Sequence, residues 1–525
     1  MDPVHRARTV ADLVTAAALR DPDRVALLAG VSTVTWGELD ELVDRAAAGL
    51  RGLGLEPGDR IVLQLGNLPD FPVLYCGALR AGLVAVPANT GYTGAELTHL
   101  LTDSGARALA TSSVAVISAL RELGDLPPLE HVLVAAPSGP DGTVPVPTLL
   151  RTDARIEPHV PDPEDLAVLS YTSGTSGRPR GAMLSHRAML ANLEQVAALD
   201  PPPVTADDVL LLAIPMFHAY GLNPGFGLLA YAGATGVLVE HFDAEETLGL
   251  IVRHGVTTVP AVPAMYVRWA ASPLLRESFA GVRLATSGAA PLPPSTLLAF
   301  ADAGITVFEG YGLTETAPVL TSTLVGGRPK PGSVGRPVPG VEVRLREASG
   351  AESDPEPAGD AGPGEVDLVG PGGEPGEIVV RGANLFSGYW PDGVDRPNAD
   401  GWWATGDVAY ADDEGDLHLV DRRMELILVS GFNVYPAEVE AVLATHPSVA
   451  EAAVLGRADP ARGDEAVLAY VVPVAGTAPT EAELLAWAAR SLARFKLPTR
   501  ITFLDALPHS ATGKVSKARL REQQV

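Results

Sequence analysis

Apolar positions recur every three or four residues across 36–53, where Leu39, Leu42, Val43, Ala46, Leu50 and Leu53 predict an amphipathic helix. A strand at 60–65, a helix at 71–81 and a strand at 83–87 follow, and the alternation returns from 162 to about 308. This order predicts an α/β fold, with a large N-terminal domain of layered, mostly parallel sheets and helices. Between 340 and 382 the pattern changes to short strands separated by Gly and Pro, as in a small β-rich subdomain. The last part, 422–525, reads as a compact α+β remainder of about a hundred residues. It has a helix at 436–443, strands at 448–455 and 466–474, and a helix at 480–492 opened by a capping box, Thr480 with Glu483. Residues 347–376 are rich in Glu, Asp, Gly, Ala and Pro and read as a flexible insertion.

A chain of 525 residues is too long for one core, which agrees with a division into 1–421 and 422–525. The run 209–239 contains no Asp, Glu, Lys or Arg. It is long enough to span a membrane, but Pro215, His218, Asn223, Pro224 and its glycines interrupt it. It is read as buried core around an apolar cavity, with no integral membrane segment. The formal net charge of −26 argues against a nucleic acid or an anionic membrane as partner. Cys76 is the only cysteine, so no intramolecular disulfide or cysteine metal site can form. With no basic-then-apolar leader pattern, a cytoplasmic location is the default expectation. Only Lys330, Lys496, Lys514 and Lys517 represent lysine; the other basic residues are arginine. A lysine kept in such a chain has a stronger claim to chemistry, and Lys514, after Thr512-Gly513, leads.

The densest chemical signal is Tyr171-Thr172-Ser173-Gly174-Thr175-Ser176-Gly177-Arg178-Pro179-Arg180-Gly181. Glycines at 174, 177 and 181 let the backbone turn and approach a ligand closely. Successive N–H groups in such a loop make an anion-binding concavity. Thr172, Ser173, Thr175 and Ser176 add hydroxyl donors, and Arg180 adds a forked cation. A strand at 166–170 is expected before the loop and the start of a helix at 182–191 after it. No Walker pattern can be laid on the segment.

This loop resembles the signature of the adenylate-forming superfamily, which includes acyl-CoA synthetases, luciferase and peptide-synthetase adenylation domains. Nine further matches follow in the family's order: Pro215–His218, Ser287–Leu292, Tyr311–Glu315, Gly332–Pro337, Gly376–Gly382, Gly401–Asp407, Val420–Arg422, Val429–Pro436 and Thr512–Lys514. The resemblance covers almost the whole chain and is closest to bacterial fatty-acyl-CoA synthetases. It implies two half-reactions, in which a carboxylate attacks the α-phosphate of ATP and a thiol then takes the acyl group, releasing AMP. The first half brings an anion to a polyanion and so needs charge neutralisation above all. The implied magnesium ligands are Glu315 and Thr172, since a hard cation prefers oxygen donors. Tyr311 would stack on adenine, Thr314 would bond the α-phosphate, and Gly288, Ala289 and Ala290 would lie against the ring. Glu309, Gly310 and Gly312 complete the implied nucleotide site. Asp407 would accept both ribose hydroxyls, with Arg422 near the ribose. Lys514 would bridge the substrate carboxylate and the α-phosphate. His218 would close the acyl pocket, which Val262, Pro263 and Gly312 would line. Ser430, Gly431 and Phe432 would form the edge along which coenzyme A enters, and the resemblance implies a hinge at 422–425 with a small mobile α+β C-terminal domain, 422–525. The chain departs from the family in Arg180, usually Lys, in Met424, usually Asp or Lys, and in Leu428, where some members carry Lys.

No aspartate occurs in 209–239 to hold an α-ammonium, so an amino acid substrate is not expected. A dicarboxylate of the malonate type would need a cation, for which Arg268 and Arg283 are the candidates. An apolar fatty acid fits best, which implies an ATP-dependent fatty-acyl-CoA synthetase. Three alternatives stay open: an acyl-AMP ligase serving a carrier protein, a CoA ligase for a short dicarboxylate of the malonate type, and a catalytically silent binding protein. A homodimer is also left open.

Overall fold

The structure is a computed structural model that describes residues 7–122, 129–173, 179–347, 366–368, 376–422, 427–429, 432–434, 436–459 and 464–508, with Lys517 and Leu520. The pattern at 36–53 forms helix Trp36–Gly52, whose first turn is closed by a reciprocal Thr35–Glu38 capping box. Its stripe of Leu39, Val43, Ala46 and Leu50 is fully buried. Helix Asp70–Arg80 packs on it closely, because a Cβ on Gly77 would lie 2.5 Å from that of Ala46.

Two large sheets dominate. One has seven strands in the spatial order 144–145, 131–134, 108–111, 60–64, 84–87, 166–173 and 179–185. It is parallel except for its last pair, the hairpin Leu166–Ser173 with Pro179–Ser185. The other has nine strands, in the order 336–337, 319–322, 307–312, 284–287, 258–261, 209–212, 235–238, 25–29 and 32–35. Its centre is parallel and its margins antiparallel. The uncharged run 209–239 lies here as a strand, a helical turn at Gly221–Gly227, helix Leu228–Ala232 and a second strand. Among the described residues no helix is long and apolar enough to cross a membrane.

The helix expected from 182 starts later. Residues Pro179–Ser185 are a strand, held by a ladder in which Tyr171 faces Gly181 and Leu169 faces Met183. Ser185 then caps helix His186–Ala197 by accepting from the Ala188 N–H. The apolar run at 182–184 suits either element; the opposite strand decides between them.

Residues 341–422 form a five-stranded sheet, in the order 366–368, 341–347, 376–382, 402–411 and 417–422. Val366–Leu368 pairs as an edge strand inside the segment read as a flexible insertion. The rest of that segment, 348–365 and 369–375, lies outside the described residues. The smaller C-terminal domain has strands Val449–Asp459, Asp464–Pro473 and Arg500–Phe503 and helices Pro436–Ala444 and Glu481–Ala488. The capping box on the last helix forms as expected, with the Thr480 hydroxyl accepting from the Glu483 N–H and the Glu483 carboxylate from the Thr480 N–H.

The smaller domain meets the larger one through a buried cation. Lys496 is 2% exposed. Its Nζ donates to Glu438 Oε1 at 2.8 Å in its own domain and to Glu96 Oε1 at 3.0 Å across the boundary. Removing one member of a buried ion pair leaves the others uncompensated and costs about 3 kcal/mol or more. Lys496→Met is therefore expected to lower the urea midpoint of the protein, with an earlier loss of protease resistance in the C-terminal part. An unchanged midpoint would show that the pair contributes nothing.

Candidate active site

Strands Thr258–Ala261, Leu284–Ser287 and Val307–Gly312 run parallel and in register. Their carboxyl ends therefore gather the segments that follow at one edge, the usual place for a ligand in such a sheet. Gly288 follows the second strand under the Tyr220 ring; a Cβ there would lie 3.1 Å from Tyr220 Cε1. Ala289 has φ of 70°, a conformation that an alanine adopts only where its surroundings enforce it. The third strand carries Glu309, Gly310, Tyr311 and Gly312 and runs into the single turn Thr314–Thr316. A Cβ on Gly312 would fall 1.7 Å from the Pro318 carbonyl oxygen, so backbone packing alone requires glycine there.

Glu315 occupies that turn and is 6% exposed. Its Oε1 accepts from the Tyr389 hydroxyl at 2.5 Å and from the Thr172 hydroxyl at 3.4 Å. Burial raises its pKa above the ordinary carboxylate value, and the two hydroxyls oppose the rise. The Arg180 guanidinium stacks 3.8 Å from the centre of the Tyr389 ring and pairs with Asp395 at 2.7 Å. Arg180 thereby orients the tyrosine that serves Glu315. Next to this group, the Tyr311 hydroxyl donates to Asp407 Oδ2 at 2.6 Å. Arg422 is the residue opposite Asp407 in the ladder between their two strands.

One cavity joins these residues. Thr172, Arg180, Gly288, Ala289, Tyr311, Thr314, Glu315 and Asp407 line its polar end. Val196, Leu199, Val204, Leu210, Leu228 and Leu284 line the far end. His218 lines the same cavity. Burial pushes its pKa down to about 4, and its Nδ1 accepts from the Tyr220 N–H at 3.2 Å, so it is neutral at pH 7. Ser287 Oγ is buried on the cavity wall with no protein partner, which leaves one polar atom free for a polar ligand.

Of the residues expected in the site, Thr172, Arg180, His218, Gly288, Ala289, Glu309, Gly310, Tyr311, Gly312, Thr314, Glu315 and Asp407 all face this cavity. Ala290 does not line it. Neither do Val262 and Pro263, which open helix Pro263–Ala270 and pack in the core. Gly181 serves the hairpin instead, since a Cβ there would sit 2.7 Å from Leu169 Cδ1. Gly174, Thr175, Ser176, Gly177, Ser430, Gly431 and Lys514 lie outside the described residues, and Ser173 and Arg422 are described by backbone only. Phe432, expected on the coenzyme A edge, stacks on Phe217 at 5.9 Å between ring centres. It thus stands beside the neighbour of His218. The sequence reading missed Tyr389, Tyr220 and Thr405, which also line the cavity. Their only sequence signal is a tyrosine or threonine near a motif.

The AMP-binding enzyme family model matches residues 14–390, and that of the AMP-binding enzyme C-terminal domain matches 438–514. The chain belongs to the AMP-binding enzyme family. It is similar to a long-chain-fatty-acid–CoA ligase of Yersinia pestis, 34% identical over 100% of this chain and 96% of that one. A feruloyl-CoA synthase of an Amycolatopsis species is 36% identical over 99% of this chain and 98% of that one. In structure it is similar to the amide bond synthetase McbA of Marinactinospora thermotolerans, with a TM-score of 0.83 and 29% identity over 98% of this chain and 99% of that one. Family membership makes this chain an adenylate-forming acid–thiol ligase.

Glu309 is a second buried carboxyl in the family pocket, 5% exposed. Burial pushes its pKa up from 4.5 to about 7, against one N–H donated by Leu292 at 3.0 Å. A raised carboxyl pKa means that its share of stability is fully present below pH 4.5 and is lost as pH rises to 7. The loss amounts to about 3 kcal/mol. Glu309→Gln cannot ionise and keeps the acceptor for Leu292. In denaturation of the ligand-free protein, the variant is expected to match wild type near pH 4 and to exceed it at pH 8. A constant difference across that range would refute the assignment.

Proposed function

We propose that this enzyme is a fatty-acyl-CoA synthetase. It would couple an apolar monocarboxylic acid to ATP, giving acyl-AMP and pyrophosphate, and then to coenzyme A, giving the thioester and AMP. The observation that carries the reading is the polarity of this cavity. Its polar end holds Glu315, Thr172, Arg180 and Asp407, and among the described residues no charged side chain lines its far end. The two arginines considered for a second carboxylate are both paired elsewhere. Arg268 faces Asp243 at 3.7 Å and Arg283 faces Asp208 at 2.7 Å, and neither lines the cavity. This disfavours a dicarboxylate.

Glu315 and Thr172 offer a carboxylate and a hydroxyl to a magnesium ion, a donor set that suits a hard cation carrying ATP. Such an ion would supply charge neutralisation at the phosphates. Among the described residues no group of three or more His, Cys, Asp or Glu stands ready for a metal, so these two would share the ion with the nucleotide. Asp407, placed by Tyr311, would accept the ribose hydroxyls. The acid would lie with its carboxylate near His218. Its oxygen attacks the α-phosphorus while the bond to pyrophosphate breaks, and Lys514 would bring its ammonium to both anions. His218, neutral, can pack against the acyl chain without a desolvation cost. The thiol of coenzyme A then attacks the acyl carbon from the side of Phe432 and Phe217, and AMP leaves.

A second reading is favoured by the similarity to a feruloyl-CoA synthase and by the polar residues Thr258, Thr286, Thr321 and Ser322 among those that line the cavity. Such a wall can hold an aromatic acid that carries polar substituents. One assay separates the two. ATP, magnesium and an acid series (graded fatty acids, ferulate, malonate) are incubated with and without coenzyme A, and pyrophosphate and thioester are measured separately. Fatty acids are expected to give the highest kcat/KM and to need coenzyme A only for thioester. A higher kcat/KM for ferulate would overturn the fatty-acid reading. In the same assay Lys514→Ala is expected to lose ~10²–10³ in adenylation rate, the usual effect of one preorganised charge at a developing anion, with ATP binding almost unchanged. Adenylation within threefold of wild type would refute the role.

A further inference from the structure

The parallel strands give the cavity a direction. Gly288 and Gly312 mark its polar end, at the carboxyl ends of their strands. Leu210, Thr258 and Leu284 line its other end and are register partners in sequence, Leu210 with Thr258 and Thr258 with Leu284. Ser287 to Leu284 is three residue steps, about 10 Å of depth. The stretch 201–208 contributes Pro203 and Val204 to this far end, beside Val196, Leu199 and Leu228. Pro203 and Val204 are buried on the cavity side, while Pro201, Pro202, Thr205, Ala206 and Asp207 are exposed to solvent.

Two arginines from outside hold that wall in place. Arg283 donates to the Pro203 carbonyl at 2.8 Å and to both carboxylate oxygens of Asp208, at 2.7 and 3.1 Å. Asp208 is 4% exposed. It also accepts from the N–H and hydroxyl of Thr205 and from the Thr257 hydroxyl. Arg24 donates to the Ala206 carbonyl. A thin wall needs fixing from one side if it is to stop a ligand on the other, and Arg283 is 40% exposed, outside the cavity.

We propose that Arg283 and Asp208 form a clasp that closes the end of the acyl cavity and so sets the longest chain the enzyme accepts. The proposal rests on the fatty-acid reading for its substrate. Arg283 acts as a specificity-determining residue by positioning Pro203 and Val204; it touches no reacting atom. Releasing it lets the wall part, so that a longer chain can run on past residues 203–204.

The test measures binding as well as turnover, so that the two readings can fail separately. Acyl sulfamoyl-adenosines with straight chains of increasing length mimic the adenylate and are titrated by calorimetry into wild type, Arg283→Ala and Val204→Phe. Arg283→Ala is expected to raise the affinity for the longest chains at least tenfold relative to the shortest, about the effect of burying two methylenes. Val204→Phe, which fills the end, is expected to lower that ratio about tenfold, again roughly two methylenes. The shortest chain should bind all three proteins alike. An unchanged ratio in a folded Arg283→Ala, judged by circular dichroism, would overturn the clasp. So would equal weakening of all lengths by Val204→Phe, which covers the case in which Arg283→Ala fails to fold. If wild type turns over no straight-chain acid yet the binding ratios shift as expected, the fatty-acid reading falls and the clasp stands.

Discussion

A carboxylate buried away from water must find donors, and Glu315 finds them on two other parts of the chain. Thr172 comes from the hairpin of the seven-stranded sheet, Tyr389 from the connection between two strands of the five-stranded sheet, and Glu315 itself follows a strand of the nine-stranded sheet. One acceptor oxygen thus ties three sheets together. The same segment is fixed by backbone as well, since the Trp390 N–H donates to the Gly181 carbonyl and the Met183 N–H to that of Gly388. The site exists where those sheets meet, and a group that raises the charge of one member disturbs all three.

Much of this was legible in sequence because the motifs sit on strands and on the turns that follow them. A Gly or a hydroxyl in a turn has a local job, and local jobs leave a local pattern. Tyr311, Thr314, Glu315 and Asp407 face one cavity as their motifs implied. What could not be read depends on partners distant in the chain. Tyr389 is 74 residues from Glu315, and no spacing rule connects them. Residues 182–185 read as the first turn of a helix, yet they close a strand and the helix begins at His186, because their apolar residues fit both periods and their ladder partner lies across the loop. Val262 and Pro263 were expected in the acyl pocket. A helix begins there and turns their side chains into the core, a direction that only the packing of that helix decides.

The smaller domain shows how contacts that no motif announces can matter. Phe432 lies between Phe217 of the larger domain and Phe495 of its own, at 5.9 and 4.9 Å. Phe495 precedes Lys496, which reaches Glu96 across the boundary. Glu96 uses its other oxygen, Oε2, to accept from the Thr93 N–H at the start of helix Gly94–Ser104. The interdomain pair is thus anchored in a helix cap. In this arrangement Phe432 packs against Phe217, the residue before His218.

The cavity's shape follows from the sheet that forms it. Parallel strands place turns, with their free N–H groups and polar side chains, at one end, and strand starts buried under helices at the other. A substrate that is charged at one end and apolar along its length matches that gradient without any specific recognition of its tail. Discrimination among such tails must then come from where the space stops. That boundary is not a motif of the reaction, and it can change without touching Glu315 or Asp407. A loop rich in proline, tied down by an arginine outside the cavity, is free to vary in this way: its residues carry no chemistry, and only their position constrains the ligand.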